Sequence, residues 1–309
     1  MTVVVDAHAH VIVPGLGAEV RWDERGQVVE LDGKAIRAAV REFVDLDRIL
    51  EEQDRAGVDR VVLCPWVNLV GRQTARQNEA LAAMVGPRVA ALGTVDLERP
   101  DELVELMRDG RLSGVEVAAS VGGDYLGHDR FAGFWAAAEE ARALVFVHPT
   151  TRGFGIETLN DYYLWNTAGN PLETTITAAH MVMAGVLERH PDLRVLLAHA
   201  GGAILALRGR LRHSHTFQPD ARARLSESPV DSLRRFYLDT VTHEETLLEA
   251  AIEFAGADHV LLGSDYPFDM GLERPAEPVR ALGLAPEDEA LVLGGNALRL
   301  LDRGSRSEP

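Results

Sequence analysis

The chain has 309 residues and 33.7 kDa, with 46% hydrophobic and 26% charged residues, which suits one large globular domain and excludes a fibrous or disordered chain. Its 31 basic against 48 acidic residues give a net charge of −17, which argues against nucleic acid or an anionic membrane as partner and, at first sight, against an anionic substrate. A single cysteine, Cys64, no Lys or Arg before Arg21, and no apolar run near membrane-spanning length lead us to expect a cytoplasmic protein without disulfide, leader or membrane span.

Eight short β-rich apolar runs follow one another: Val3 to His8, Val58 to Pro65, Arg88 to Asp96, Gly114 to Ser120, Ala143 to Pro149, Leu193 to Ala200, Arg235 to Val241 and His259 to Asp265. Segments of helical periodicity separate them, such as Leu46, Ile49, Leu50 and Gln53 before Gly57, and Leu103, Leu106 and Met107 before Gly110. Asn170-Pro171-Leu172-Glu173 reads as a cap, a proline at the first helical position and an acid in the first turn, opening a helix to about Arg189. Eight βα units without a linker or repeat predict a single (β/α)₈ barrel domain over 1–309, with a doubly wound open sheet as the competing architecture.

Two connections exceed what a barrel needs. Residues 15–43 after the first strand contain an expected hairpin, Val20 to Trp22 against Gln27 to Leu31. Residues 149–171 after the fifth form a lid-like loop carrying Phe154, Tyr162, Tyr163 and Trp165. Both leave strand C-termini, where barrel enzymes build their active sites. The aromatic cluster is read either as a loop packing itself down or as a substrate wall.

The first strand ends in Asp6-Ala7-His8-Ala9-His10. Residues two apart on a strand share a side, so both imidazoles can meet one ion, although two surface histidines would show the same pattern. The other strand ends add weight: the fifth finishes at His148, the sixth at His199 and the eighth at Asp265. Imidazoles and a carboxylate delivered by four strands to one barrel face form a nitrogen and oxygen set suited to Zn²⁺, with Mn²⁺ or Fe²⁺ possible. Glu116 and Asp239, on strands four and seven, are candidates to orient the ligand histidines.

With these motifs in place, the chain resembles the amidohydrolase superfamily, and within it the branch of aminocarboxymuconate-semialdehyde decarboxylase and γ-resorcylate decarboxylase. The resemblance runs from Asp6-Ala-His-Ala-His through Phe146-Val-His-Pro, Pro171-Leu-Glu-Thr-Thr, Gly185-Val-Leu-Glu-Arg-His-Pro-Asp-Leu and Ala198-His-Ala-Gly-Gly to Gly263-Ser-Asp-Tyr-Pro-Phe and Gly295-Asn-Ala-Leu. It implies that His8, His10, His148 and Asp265 hold one divalent metal ion with His199 beside it as acid/base. It also implies that Arg210 grips a substrate carboxylate, often across a homodimer interface, and that Phe268 lies near the substrate. The chain departs from the branch in three places. Thr150-Thr151-Arg152 stand where tryptophan usually follows His-Pro, and Asn166 stands where a pocket tryptophan aligns, with Trp165 adjacent. Ile49 replaces a second substrate arginine, leaving Arg48 as a shifted substitute.

The expected function is therefore metal-dependent, non-oxidative decarboxylation of a small unsaturated or aromatic carboxylic acid. The alternatives are hydrolysis of a lactone or amide on the same metal, with His199 or Asp265 shuttling the proton, and a barrel that has lost its chemistry. His213 and His215 fall on a helix and face apart. His180 and His190 read as packing or helix-end residues, His128, His243 and His259 carry no partner pattern, and Cys64 reads as a small buried thiol. Gly15 to Val20 lacks the third glycine of a dinucleotide loop. The acidic excess concentrates on helix faces such as Glu51, Glu52 and Asp54 or Glu287, Asp288 and Glu289. A dication with Arg210 can then make the barrel mouth locally positive, which leaves a carboxylate substrate open.

Overall fold

The computed structural model describes residues 2–24, 26–37, 41–150 and 157–302. Eight parallel strands appear where the apolar runs predict them: β1 (Val5–Val11), β2 (Arg60–Pro65), β3 (Val89–Ala91), β4 (Gly114–Ala118), β5 (Leu144–His148), β6 (Arg194–Leu197), β7 (Tyr237–Asp239) and β8 (Val260–Leu261). β1 to β3 pair in sequence, as do β4 to β8.

Backbone hydrogen bonds close the gap on both sides. The amide of Glu116 donates to Gly93 and that of Gly93 to Gly114, both at 2.9 Å; Ala7 donates to Leu262 at 2.8 Å and His10 to Tyr266 at 2.7 Å. The result is a closed barrel, and the open doubly wound sheet is excluded.

Alternation along the strands sorts the side chains. Val62, Cys64, Ala90, Leu144, Phe146, Leu196 and Leu261 fill the interior. Val115, Val117, Val145, Val147, Val195 and Leu197 pack outward against Phe134, Trp135, Met181 and Val182 of the surrounding helices. Phe146 is fully buried, and truncating such a ring to alanine costs about 3–5 kcal/mol.

The insertion is larger than a hairpin. Ala18–Asp23, Gly26–Leu31 and Lys34–Arg37 form a three-stranded antiparallel sheet. The third strand is too short and polar to signal itself. Glu42 pins the far end of the insertion, its carboxylate accepting from the amides of Phe43, Val44 and Asp45 and from Gln27 Nε2. Asp45 then caps the helix Leu46–Ala56, which stops at Gly57 in a left-handed conformation.

The segment after β5 corrects one expectation. Trp165–Gly169 is already a π-helical turn, so Asn170 opens the α-helix as the continuation of a helical path and makes no capping bond. The helix Asn170–Met183 ends short of Arg189 because Gly185 takes φ of +71°. A short second helix, Val186–Arg189, follows. Among the described residues, no helix is long and apolar enough to cross a membrane.

Candidate metal centre and active site

A β-bulge shapes the start of the site. Between Asp6 and Ala9, β1 advances one residue more than β2 does between Val61 and Leu63. Val5 and Ala7 therefore belong to the barrel interior, and beyond the bulge His8 and His10 also turn inward while Ala9 and Val11 face the helices. The i, i+2 spacing points the two rings the same way, and the bulge decides that this way is into the barrel.

His148 closes β5 as expected, but β6 and β8 end earlier than their apolar runs. His199 follows Leu197 in a tight turn with φ of +56°, and Asp265 lies beyond Leu261 with φ of +57°. Left-handed backbone at two non-glycine residues breaks the ladder and is strained, which marks positions where the chain gives up regularity to aim a side chain. Gly263 lets β8 approach closely, since a Cβ there would lie 2.8 Å from that of His8.

The four side chains His8, His10, His148 and Asp265 are buried and offer ligand atoms within 4.8 Å of one another. Asp265 Oδ1 lies 3.2 Å from His8 Nε2, 3.5 Å from His10 Nε2 and 3.9 Å from His148 Nε2. Two observations test whether a cation fits. The Nε2 atoms of His8 and His10 face each other at 3.1 Å, and both His148 Nε2 and Asp265 Oδ1 are buried without a hydrogen-bond partner. Three imidazole nitrogens and a carboxylate oxygen converging in a dry site are what a divalent ion satisfies. The residues therefore fit the ion that the sequence implies.

Asp239, fully buried, holds the back of this arrangement. Its Oδ2 lies 2.6 Å from His8 Nδ1 and accepts from the amide of His199 at 2.9 Å, while Oδ1 accepts from the amides of Ala200 at 2.8 Å and Val241 at 3.1 Å. Burial works to raise its pKa, but the bond to His8 and these amides outweigh burial and hold it below the usual carboxylate range. Burial likewise works against a charge on His8, yet Asp265 and Asp239 prevail and lift it to about 10. Glu116 Oε2 stands 3.7 Å from His10 Nδ1, and burial pushes its carboxyl well above the ordinary value. Both candidate orienting residues thus sit behind a ligand histidine, as carboxylates commonly do at metal sites. Cys64 is a buried thiol whose pKa burial raises.

His199 is only partly buried. Its Nε2 lies 3.4 Å from Asp265 Oδ2, and its Nδ1 has no partner. It opens onto a cleft of about 160 Å³ whose walls include Asn166, Thr167, Pro171, Val241, Thr242, His243, Asp265 and Met270.

Phe268 packs beside the metal ligands, its ring centroid 5.2 Å from that of His10 and 5.5 Å from Phe43. Trp165 turns instead onto Tyr163 at 5.0 Å, and its neighbours Asn166 and Thr167 form the wall. Arg210 is exposed on the helix Ile204–Phe217 and, among the described residues, makes no hydrogen bond or ion pair. Arg48 is exposed and Ile49 buried. Thr151, Arg152 and Phe154 lie outside the described residues.

Sequence reasoning missed two features. Glu173, read as a helix-start acid, is buried and accepts from the Thr150 amide at 2.8 Å, the Thr150 hydroxyl at 2.9 Å and the Ser120 hydroxyl at 2.9 Å. It ties the ends of β4 and β5 to the helix. Tyr163 donates to Asp269 Oδ1 at 2.9 Å, joining the loop after β5 to the loop after β8. A glutamate two residues after proline signals an ordinary helix start, so only the tertiary contact could reveal the first.

A family model described as "Amidohydrolase" matches residues 5–303. The 2-amino-3-carboxymuconate-6-semialdehyde decarboxylase of Dictyostelium discoideum is 27% identical, over 96% of this chain and 91% of that protein. Among solved structures, the 5-carboxyvanillate decarboxylase from Sphingomonas paucimobilis matches 97% of this chain and 99% of that one, with TM-score 0.81 and 22% identity. A dihydroxybenzoic acid decarboxylase from Polaromonas sp. JS666, with bound manganese and the inhibitor 2-nitroresorcinol, covers 98% and 97%, with TM-score 0.78 and 19% identity. At these identities the two structures establish the fold alone, the barrel described above.

Proposed function

Because the chain belongs to the amidohydrolase family, we propose that it is a metal-dependent, non-oxidative decarboxylase of a small unsaturated or aromatic carboxylic acid, working as one barrel domain over 1–309. The observation that carries the reading is the buried cluster of His8, His10, His148 and Asp265 with His199 beside it on an open cleft. The Dictyostelium relative, named as a decarboxylase, spans nearly the whole chain and supports the choice of reaction.

His8, His10, His148 and Asp265 would hold one divalent ion. Three nitrogens and one oxygen favour Zn²⁺, with Mn²⁺, the ion in the Polaromonas structure, and Fe²⁺ as the other candidates. Such an ion would supply Lewis-acid chemistry at the barrel mouth.

His199, held by its amide on Asp239 and lining the cleft, delivers a proton to the carbon bearing the carboxylate. The bond from that carbon to the carboxylate then breaks, its electron pair returns to the conjugated system, and CO₂ leaves. Asp265 keeps the His199 ring in place through Oδ2. Phe268 supplies an apolar face for a planar acid, and Trp165 braces the wall through Tyr163.

Arg210 is exposed in its own subunit, which supports a role in which it grips the carboxylate from the second copy of a homodimer. A cytoplasmic setting is supported by the lone buried thiol of Cys64. Nucleic acid and membrane are not among the proposed partners.

The test is to incubate metal-loaded protein with panels of hydroxybenzoates, muconates and small lactones while following CO₂. Stoichiometric CO₂ release from one of the acids is expected. Lactone hydrolysis with no CO₂ from any acid would overturn the reading in favour of a hydrolase.

A further inference from the structure

The opposite end of the barrel carries a cavity of about 700 Å³, larger than the cleft at His199. It lies against the residues that enter β5, β6, β7 and β8, so each strand separates it from the metal centre by roughly four residues, or about 13 Å. The size falls within the range of small-molecule sites.

Its chemistry stands out in a chain of net charge −17. Arg142, Arg194 and Arg299 converge on it from the turn before β5, the start of β6 and the C-terminal helix Asn296–Leu301. Arg194 and Arg299 are held by neutral groups. Arg194 Nη1 donates to the carbonyls of Arg142 at 3.4 Å and Leu300 at 3.1 Å, and Arg299 Nη2 donates to the carbonyl of Asp258 at 2.7 Å and to Asn296 Oδ1 at 3.0 Å. Among the described residues, none of the three forms an ion pair with a carboxylate. Arg235, at the rim, is paired with Glu227.

Three acids, Glu139, Glu140 and Asp192, also line the cavity, and one of them is committed to its neighbours. Glu139 accepts from His190 Nδ1 at 2.9 Å and from the amide of Asp192 at 3.0 Å. Burial, reinforced by Arg142 and Arg299, lowers the pKa of Arg194, against the weaker pull of Tyr237 and Asp302. Like charges gathered in a concave, partly desolvated site are costly unless an anion joins them.

We propose that this cavity is a binding site for a small oxyanion of two or more negative charges, a phosphorylated or polycarboxylate compound, gripped by Arg142, Arg194 and Arg299. Arginine forks suit both anions, and the cavity leaves room for an organic portion beyond the charged group. The site is separate from the decarboxylase reading and stands or falls without it.

Inorganic phosphate and citrate serve as probes, titrated calorimetrically into the metal-loaded protein and into an Arg142→Gln, Arg299→Gln double variant, both at low ionic strength. The two substituted side chains are exposed, and a Tm of the variant matching the wild type checks that losing the Arg299 bonds to Asp258 and Asn296 leaves the fold intact. Either anion can also bind at the metal centre, and that component should be the same in both proteins. The expected result is a second component in the wild type that weakens at least about tenfold in the variant, for phosphate, citrate or both. Identical titrations of the two proteins with both anions would overturn the proposal.

Discussion

His8 Nδ1 and Asp239 Oδ2 meet at 2.6 Å in the dry interior of the barrel, linking β1 to β7. The contact makes Nδ1 the donor and turns Nε2 toward Asp265. Because the same carboxylate accepts from the amides of His199 and Ala200, one buried group orients both a metal ligand and the proposed proton carrier. Asp239→Asn replaces one acceptor oxygen with a donor and leaves buried N–H groups unpaired. Metal affinity should fall about 10–100-fold, as read by chelator competition on the metal-free protein. Unchanged affinity would show that the contact only packs.

His199 packs its ring 5.5 Å from that of His8 and 5.4 Å from that of His148 and reaches Asp265 Oδ2 at 3.4 Å, yet it is not one of the four clustered ligand side chains, so its removal should separate chemistry from metal binding. His199→Asn is expected to lower kcat by about 10²–10⁴ while the metal content per chain, measured by elemental analysis, stays at the wild-type level. Loss of metal together with activity would instead make His199 a ligand.

The barrel was legible because its signals are local. Apolar runs announce strands, glycines such as Gly57 end helices, and His-x-His reports its own geometry once a strand is inferred. The position of His199 and Asp265 beyond their strands was less legible, since left-handed φ at a non-glycine residue follows from the tertiary trap around it and not from the residue type. The bulge at Ala7 and His8 leaves no composition signature either, because it is fixed by the pairing with β2. Asp239 could be nominated from its place on an apolar strand. Glu173 could not, since its role depends on Ser120 and Thr150, 53 and 23 residues away.

The buried carboxyl of Glu173 sets a pH dependence. Burial raises its pKa above the ordinary glutamate value, outweighing the bonds from Thr150 and Ser120. A group whose folded pKa exceeds its unfolded one contributes stability that is complete below the unfolded value and is lost as pH rises through the folded one. Glu173 therefore favours the fold in acid and progressively less above about pH 4.5. Glu173→Gln removes that loss. Denaturant unfolding of the metal-free proteins at about pH 4 and about pH 7 should show wild type losing ground to the variant as pH rises. A difference independent of pH would mean that the carboxyl does not titrate between the two states.

The bond from the Tyr163 hydroxyl to Asp269 Oδ1 clasps the two loops that flank the cleft, and Trp165 packs on the same ring. Burial and the neighbouring Asp269 raise the phenol's pKa, so it stays a donor at neutral pH. One such bond is worth about 0.5–1.5 kcal/mol, or a factor of roughly 2–10 in a binding constant. Tyr163→Phe should raise KM by that factor and leave metal content unchanged, because the ring and its packing remain. Asp269→Asn keeps an acceptor and should do less. If the clasp is the cause, Asp269→Ala should match Tyr163→Phe, and combining the two should add nothing, whereas additive effects would assign the two residues separate roles.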